Sequence, residues 1–317
     1  MHLNLSEKKQ LLKQIDFLSW CCDRAESLQQ QSIDELNQLF PEIIGFLPIH
    51  ISHLNNPSYL IERITINEDV DEEKKNRRLL NLKQLRYPPR EIKDKLDYNR
   101  GTLKGQVGFY AGNKGVLPLA IETKPKKGQM ITKSIWKLNA NVTLNLFVIC
   151  QSLEIVSANP KELADDFNHY YTTIQKLSPN TREVVEAVYK LIVKSFTKEV
   201  NSRNKQGYLL SALFSDFLLY RSGYHIDAIM YPSVPNEGAA MNFVINPDVL
   251  DTSFTMIEAI ESIIVSHPTS KVNGWHSVGT GNCQNYDRKT LELNWISTSY
   301  PPDHEVNKII KEYNVII

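Results

Sequence analysis

Apolar residues first recur at helical spacing. Leu11, Ile15, Leu18 and Cys22 lie four, three and four positions apart, which lays one stripe along a helix face. A second helix is expected to open at Ser32-Ile33-Asp34-Glu35, which has the form of a capping box. Ile33, Leu36, Leu39 and Ile43 continue the stripe, and Pro41 ends or bends the helix. Such a pair usually packs on a core of its own; holding a partner protein is the alternative. From Ser58 the period changes. Tyr59 to Ile66 is β-branched and aromatic and reads as a strand, and the charged stretch from Glu68 to Arg78 reads as a solvated loop or helix face. Gln106–Ala111 and Val116–Thr123 read as short strands joined by a turn at Gly112-Asn113-Lys114-Gly115, with Pro118 suited to an edge or to a helical start. Strand-like material continues from Met130 to Cys150.

The middle of the chain is helical. Val184, Val185, Val188, Leu191, Ile192 and Phe196 form one wide apolar face; Leu209 to Phe217 forms another, stopped by Ser222-Gly223. Strands return at Ala228–Tyr231 and Asn242–Ile245. Beyond Asp251 the pattern is mixed, with a strand expected at Thr290–Trp295. Strands, then helices, then strands predict an α+β fold rather than a regular βαβ winding.

Composition narrows the functional classes. The 36 basic and 36 acidic side chains among 317 residues cancel, so no global field draws the chain to nucleic acid or to an anionic membrane. The 4 cysteines form no CxxC pair, which argues against a zinc site or a disulfide framework and for small core residues, with an exposed thiol among them as a further option. The first residues lack a signal-peptide pattern, and no run approaches the roughly 20 apolar residues that span a bilayer. A cytoplasmic protein without a membrane segment is expected.

No GxGxxG, Walker loop, HExxH or GxSxG is present, and His276, His267 and His304 are isolated histidines. Three other segments carry candidate chemistry. Leu60-Ile61-Glu62-Arg63 places an arginine in a strand, where its charge is costly unless something anionic meets it. Asn99-Arg100-Gly101-Thr102-Leu103 is followed by Gly108-Phe109-Tyr110-Ala111-Gly112 and Ala120-Ile121-Glu122-Thr123. Tyr231-Pro232-Ser233-Val234 precedes Met241-Asn242-Phe243-Val244-Ile245.

In this order the segments resemble the RES-domain family, named for an arginine, a glutamate and a serine. Tyr231-Pro232-Ser233-Val234 with Asn242 is the most specific match, and Phe109-Tyr110-Ala111 with Glu122 is the next. The resemblance covers residues from about 58 to 250 and is discontinuous. It implies a RES/ADP-ribosyltransferase-like mixed β core and an enzyme that consumes NAD⁺ as substrate, without a metal. The activity would be NAD glycohydrolase, phosphorylase or ADP-ribosyltransferase. A bacterial toxin or defence role, and a small antitoxin partner covering the site, follow from the resemblance only. Homo-oligomerisation is left open.

The implied roles suit the residue types. The guanidinium forks of Arg63 and Arg100 match a diphosphate. The Tyr110 ring offers a flat wall for nicotinamide. Glu122 would oppose the positive charge that develops on the ribose as nicotinamide leaves, orient a ribose hydroxyl, or prepare the acceptor. Ser233 would bond the nicotinamide amide or hold Glu122, and Asn242 is placed with the binding residues. Arg63, Glu122 and Ser233 are thus the expected catalytic set.

The family core is commonly about half this length. The expected organisation is an N-terminal helical extension over 1–55, a RES-like domain over 56–262 with a helical insertion at about 150–205, and a C-terminal extension over 263–317. A non-catalytic protein-binding module on the same scaffold is the rival reading.

Overall fold

In the computed structural model of the chain, the first stripe forms α1, Leu5–Arg24. The structure describes all residues except 1, 46–48, 68–76, 114, 151–160, 202, 235–239, 267–274, 302–303, 314 and 316–317; at 116–118, 161–164 and 166 it describes the backbone alone. Asn4 caps α1 through a reciprocal box with Glu7, and Leu11, Ile15, Leu18, Cys21 and Cys22 are buried. The second helix, α2, spans Gln30–Ile44 and is entered from Gln29. Ser32 therefore lies inside its first turn and forms no cap. The helix runs three residues past Pro41 before Gly45 closes it.

Among the described residues, ten strands form one sheet. They are β1 (Ser52–Leu54), β2 (Leu60–Ile66), β3 (Phe109–Gly112), β4 (Met130–Leu138), β5 (Leu144–Val148), β6 (Ala228–Pro232), β7 (Met241–Ile245), β8 (Phe254–Ser266), β9 (His276–Cys283) and β10 (Ile296–Ser297). Their spatial order is β1-β5-β6-β7-β3-β2-β4-β8-β9-β10, and β5 with β6 is a parallel pair in an otherwise antiparallel ladder. The join at the centre is narrow. β3 pairs along its length with β7, and β2 with β4, yet β2 meets β3 only at Glu62 opposite Gly112. The sheet is thus two five-stranded halves hinged at that pair.

Alternation along the strands sorts the side chains onto two faces. Ile61, Phe109, Ala111, Trp136, Phe243 and Ile245 line one. Phe147, Ile229, Tyr231 and Val244 line the other, where they share a core with α1, α2, α5 (Pro179–Thr197) and α6 (Leu209–Asp216). The N-terminal helices therefore do not pack on a core of their own. Lys194 of α5 also bonds Ser19 and Asp23, and Lys198 bonds the Cys22 carbonyl, fastening α1 to the end of α5. All 4 cysteines are buried and unbridged.

Residues 116–123 depart from the expected strand: Val116–Thr123 is a helix, α3. Gly115 enters it at φ 79° and Lys124 leaves it at φ 49°. Pro118 falls in the first turn, where a missing amide proton breaks no intrahelical bond. Leu119 and Ala120 pack with Ile64, Ile131 and Ile264, on the Val244 side of the sheet. The other helices are α4 (Lys161–Gln175), α7 (Pro247–Ser253) and α8 (Glu305–Glu312).

The C-terminal part also differs. β8 runs through the boundary expected at 262, so the last part of the chain extends the central sheet. Among the described residues, Thr290–Trp295 makes only isolated bridges at Glu292 and Leu293, with Leu291 at φ 61°. Arg78, expected on a solvated face, is instead half-buried in this region: its Nε and Nη2 reach both oxygens of Glu261, whose side chain is fully enclosed. Most of the charged stretch, 68–76, lies outside the described residues. No helix among the described residues is long and apolar enough to cross a membrane.

Candidate active site

The hairpin between β6 and β7 sets the first two residues. Tyr231 stands opposite Asn242 and Pro232 opposite Met241, and the Ser233 amide donates to the Ala240 carbonyl at 2.8 Å. This register puts Asn242 on the Val244 side and buries Ser233 beyond the end of β6. Glu122 arrives from α3. Its helix closes onto the sheet over Gly112, where an added Cβ would stand 3.0 Å from Leu119 Cδ2. Glu122 lies one turn beyond Leu119, which carries it over the start of β7.

There the three side chains meet. Ser233 Oγ donates to Glu122 Oε1 at 2.6 Å, and Asn242 Nδ2 donates to the same oxygen at 2.7 Å. These are short, charge-assisted bonds. Among the described residues both converge on Oε1, and Oε2 keeps its accepting capacity. Of the two roles expected for Ser233, holding the glutamate is the one formed. Half-buried Glu122 is thereby fixed in one orientation at the boundary of α3 and the sheet.

Tyr231, which carries no assigned role in the sequence reading, lies under this clasp. Burial holds its hydroxyl well above the ordinary tyrosine value; nearby Tyr110 and Glu122 push in the same direction, and Arg100 opposes them. The hydroxyl is a neutral dipole. Its place in the Tyr-Pro-Ser segment was the available signal.

Tyr110 shares the face with Asn242 and Tyr231, since it stands opposite Val244. Its hydroxyl bonds Thr102 Oγ1 at 2.9 Å and accepts from the Gly101 amide at 3.2 Å. It therefore anchors the Asn99–Thr102 turn, which presses on β7. A Cβ at Gly101 would lie 2.6 Å from Val244 Cγ1, so only glycine fits that approach. Burial raises the Tyr110 phenol as well.

The two arginines do not join the cluster. Arg63 has the parity of Ile61, so its side chain leaves β2 on the face opposite Asn242 and Glu122. Its guanidinium turns into the seam where β2 and β3 part, donates from Nη1 to the Tyr110 carbonyl at 2.9 Å, and stands 5.3 Å from the centre of the Phe109 ring. Among the described residues its buried Nε has no partner, and desolvation lowers the group to about 10. This is a residue that fastens the hinge of the sheet. The expected meeting of Arg63 with Glu122 around one dinucleotide is not formed.

Arg100 is likewise committed elsewhere. Nη1 donates to the Phe196 carbonyl at 2.5 Å and the Lys198 carbonyl at 3.1 Å, and Nη2 adds a 3.2 Å bond to Lys198. The group lies 4.9 Å from the Tyr208 ring centre. It satisfies carbonyls at the end of α5, where a cation also opposes the helix dipole. Arg100→Met is therefore expected to lower unfolding free energy by about 1–3 kcal/mol, the range for stranding buried hydrogen-bonding groups. Urea denaturation measures it; an unchanged midpoint would show the cap to be dispensable.

No family model and no curated protein sequence matches the chain. The site rests on its own geometry. Among the described residues, no group of three or more His, Cys, Asp or Glu is arranged to hold a metal ion.

Proposed function

We propose that the chain cleaves the nicotinamide–ribose bond of NAD⁺ at Glu122. The reading is carried by one observation: Ser233 and Asn242, distant from Glu122 in sequence, both donate to its carboxylate. These are the glutamate, serine and asparagine that the RES resemblance had singled out. Their convergence supports the resemblance over a chance order of common residues.

The chemistry follows from the charge. As the ribose C1′–N bond breaks, its electron pair leaves with nicotinamide, and positive charge develops on the ribose ring. A carboxylate fixed by two donors is already oriented and needs no rearrangement to oppose that charge. Water or another acceptor then forms the new C1′ bond and gives up its proton. With water as acceptor, NAD⁺ yields ADP-ribose, nicotinamide and a proton. Half-buried Tyr110 is the aromatic ring on that face that nicotinamide would meet, while buried Tyr231 packs beneath the clasp. Toxin or defence activity, with an antitoxin over the site, remains part of the proposal through the resemblance.

A second reading draws on the arginines. Both guanidinium groups assigned to the diphosphate donate to backbone carbonyls, which favours a RES-like scaffold that binds protein without catalysis. Incubating the full chain with NAD⁺ and following free nicotinamide separates the two. Release with water, phosphate or a protein acceptor is expected; no release with any of them would favour the scaffold.

A further inference from the structure

A cavity of about 400 Å³ opens beyond the far end of β7, away from the Glu122 clasp. Its size falls within the range of small-molecule sites. Asn242 and Asn246 are four residues apart, so the two places are separated by about 14 Å at about 3.4 Å per strand residue. The walls combine three kinds of group. Tyr220 and Pro247 give apolar surface, Asp216 and Gln106 give hydrogen-bonding groups, and Arg90 and Lys93 give positive charge.

The carboxylate is preorganised. Asp216 is buried; Gln106 Nε2 donates to its Oδ1, and Arg221 Nε pairs with Oδ2 at 2.6 Å. Fixed in this way, it retains lone pairs suited to a pair of hydroxyls, as an acidic residue serves a ribose in dinucleotide sites. Tyr220 is presented by a π-helical turn, Phe217–Arg221, closed by the Ser222 amide on the Phe217 carbonyl at 2.7 Å. Such turns recur at functional sites. Tyr220 as a residue remains 44% exposed although it borders a concavity, so its ring can meet a base.

The cations lie outside. Arg90 pairs with Asp248, but both side chains are mostly exposed, and such a pair is weak enough for a phosphate to displace. Lys93 has no ion pair among the described residues. An aromatic wall, a fixed carboxylate and exposed cations on one cavity match the three parts of a ribonucleotide: base, ribose and phosphate.

We propose that this cavity binds a ribonucleotide, with its base on Tyr220, its ribose hydroxyls on Asp216 and its phosphate at Arg90 and Lys93. The site goes beyond the Glu122 reading and does not depend on it. Two sources share the chemistry, a free mononucleotide and the adenosine half of NAD⁺.

Titration calorimetry of the full chain with AMP tests the proposal. Binding is expected, and Tyr220→Ala should weaken it about tenfold or more, the effect of losing one base–aromatic stack. Lys93→Glu should also weaken AMP binding and leave adenosine binding unchanged, because adenosine carries no phosphate. Both positions are exposed, so the variants should fold, as circular dichroism would verify. Glu122→Gln should leave AMP affinity unchanged. Absence of AMP binding at millimolar concentration, or binding that both cavity variants leave intact, would overturn the site. Competition between AMP and NAD⁺ in nicotinamide release identifies the adenosine half as the occupant; binding without competition identifies a free mononucleotide. A chain that binds AMP yet releases no nicotinamide would reject the Glu122 reading and keep this one.

Discussion

Glu122→Gln is expected to slow nicotinamide release on the order of a hundredfold to a thousandfold, the range for removing one preorganised electrostatic group. The amide keeps the side-chain shape, and its carbonyl oxygen can still accept from Ser233 Oγ and Asn242 Nδ2, which now hold Oε1 at 2.6 and 2.7 Å. What disappears is the negative charge facing the ribose. Because the opposing positive charge develops only as the bond breaks, the loss should fall on kcat more than on KM. Ser233→Ala acts through the same carboxylate and should cost less. Combining the two should cost less than the product of their separate effects, since they serve one unit. Steady-state kinetics of the three variants decides the matter. A wild-type rate in Glu122→Gln would remove the carboxylate from the reaction even if NAD⁺ is cleaved.

Glu261→Ala is expected to produce the largest loss of stability, about 3–5 kcal/mol, because it leaves the half-buried Arg78 guanidinium without the enclosed carboxylate it faces. Arg78 meets Glu261 with two nitrogens, Thr280 Oγ1 donates to the same carboxylate at 2.8 Å, and the Arg78 guanidinium lies 5.4 Å from the Trp295 ring centre. The network ties the segment after β2 to β8, β9 and the residues before β10. Gly281 is bare at the point where the guanidinium passes, with Arg78 Nη2 only 2.9 Å from the site of a missing Cβ. Replacing both partners by apolar residues, Arg78→Met with Glu261→Leu, should recover much of the loss, because no charge is then left alone. Denaturant unfolding at constant m-value measures both. A single variant as stable as the double would show that the pair is not the fastening.

The parts of the fold legible in the sequence were those with one unbroken period. Leu11, Ile15, Leu18 and Cys22 all point into one core, and the β-branched run Tyr59–Ile66 contains β2. Misreadings came where a local pattern had two structural solutions. The apolar run of α3 fits a buried strand as well as a short helix, and tertiary contacts with Ile64, Ile131 and Ile264 decide for the helix. The Ser32–Glu35 pattern was overridden because α2 begins at Gln30. In β8, Glu258 and Glu261 interrupt the apolar alternation, and the register shifts at Glu261/Ser262, so a 13-residue strand gives no clean period-two signal.

The site was legible in the same uneven way. Residue order located Glu122, Ser233 and Asn242, whose donors and acceptor are chemically complementary. It could not locate a guanidinium. An arginine in a strand points to either face according to one step of register, and at Arg63 that step favours the seam beside Phe109. Arg100 went unrecognised as a cap because its carbonyl partners, Phe196 and Lys198, lie almost a hundred residues away. The cavity beside Asp216 left no sequence motif at all: its walls come from segments near residues 90, 106, 220 and 247.

A crystal structure of the Glu122→Gln chain grown with NAD⁺ tests the central claim most directly. The nicotinamide ribose should lie within hydrogen-bonding distance of residue 122, with Ser233 and Asn242 still on its side-chain oxygen. Intact dinucleotide bound anywhere that leaves residue 122 out of contact with that ribose would contradict the account.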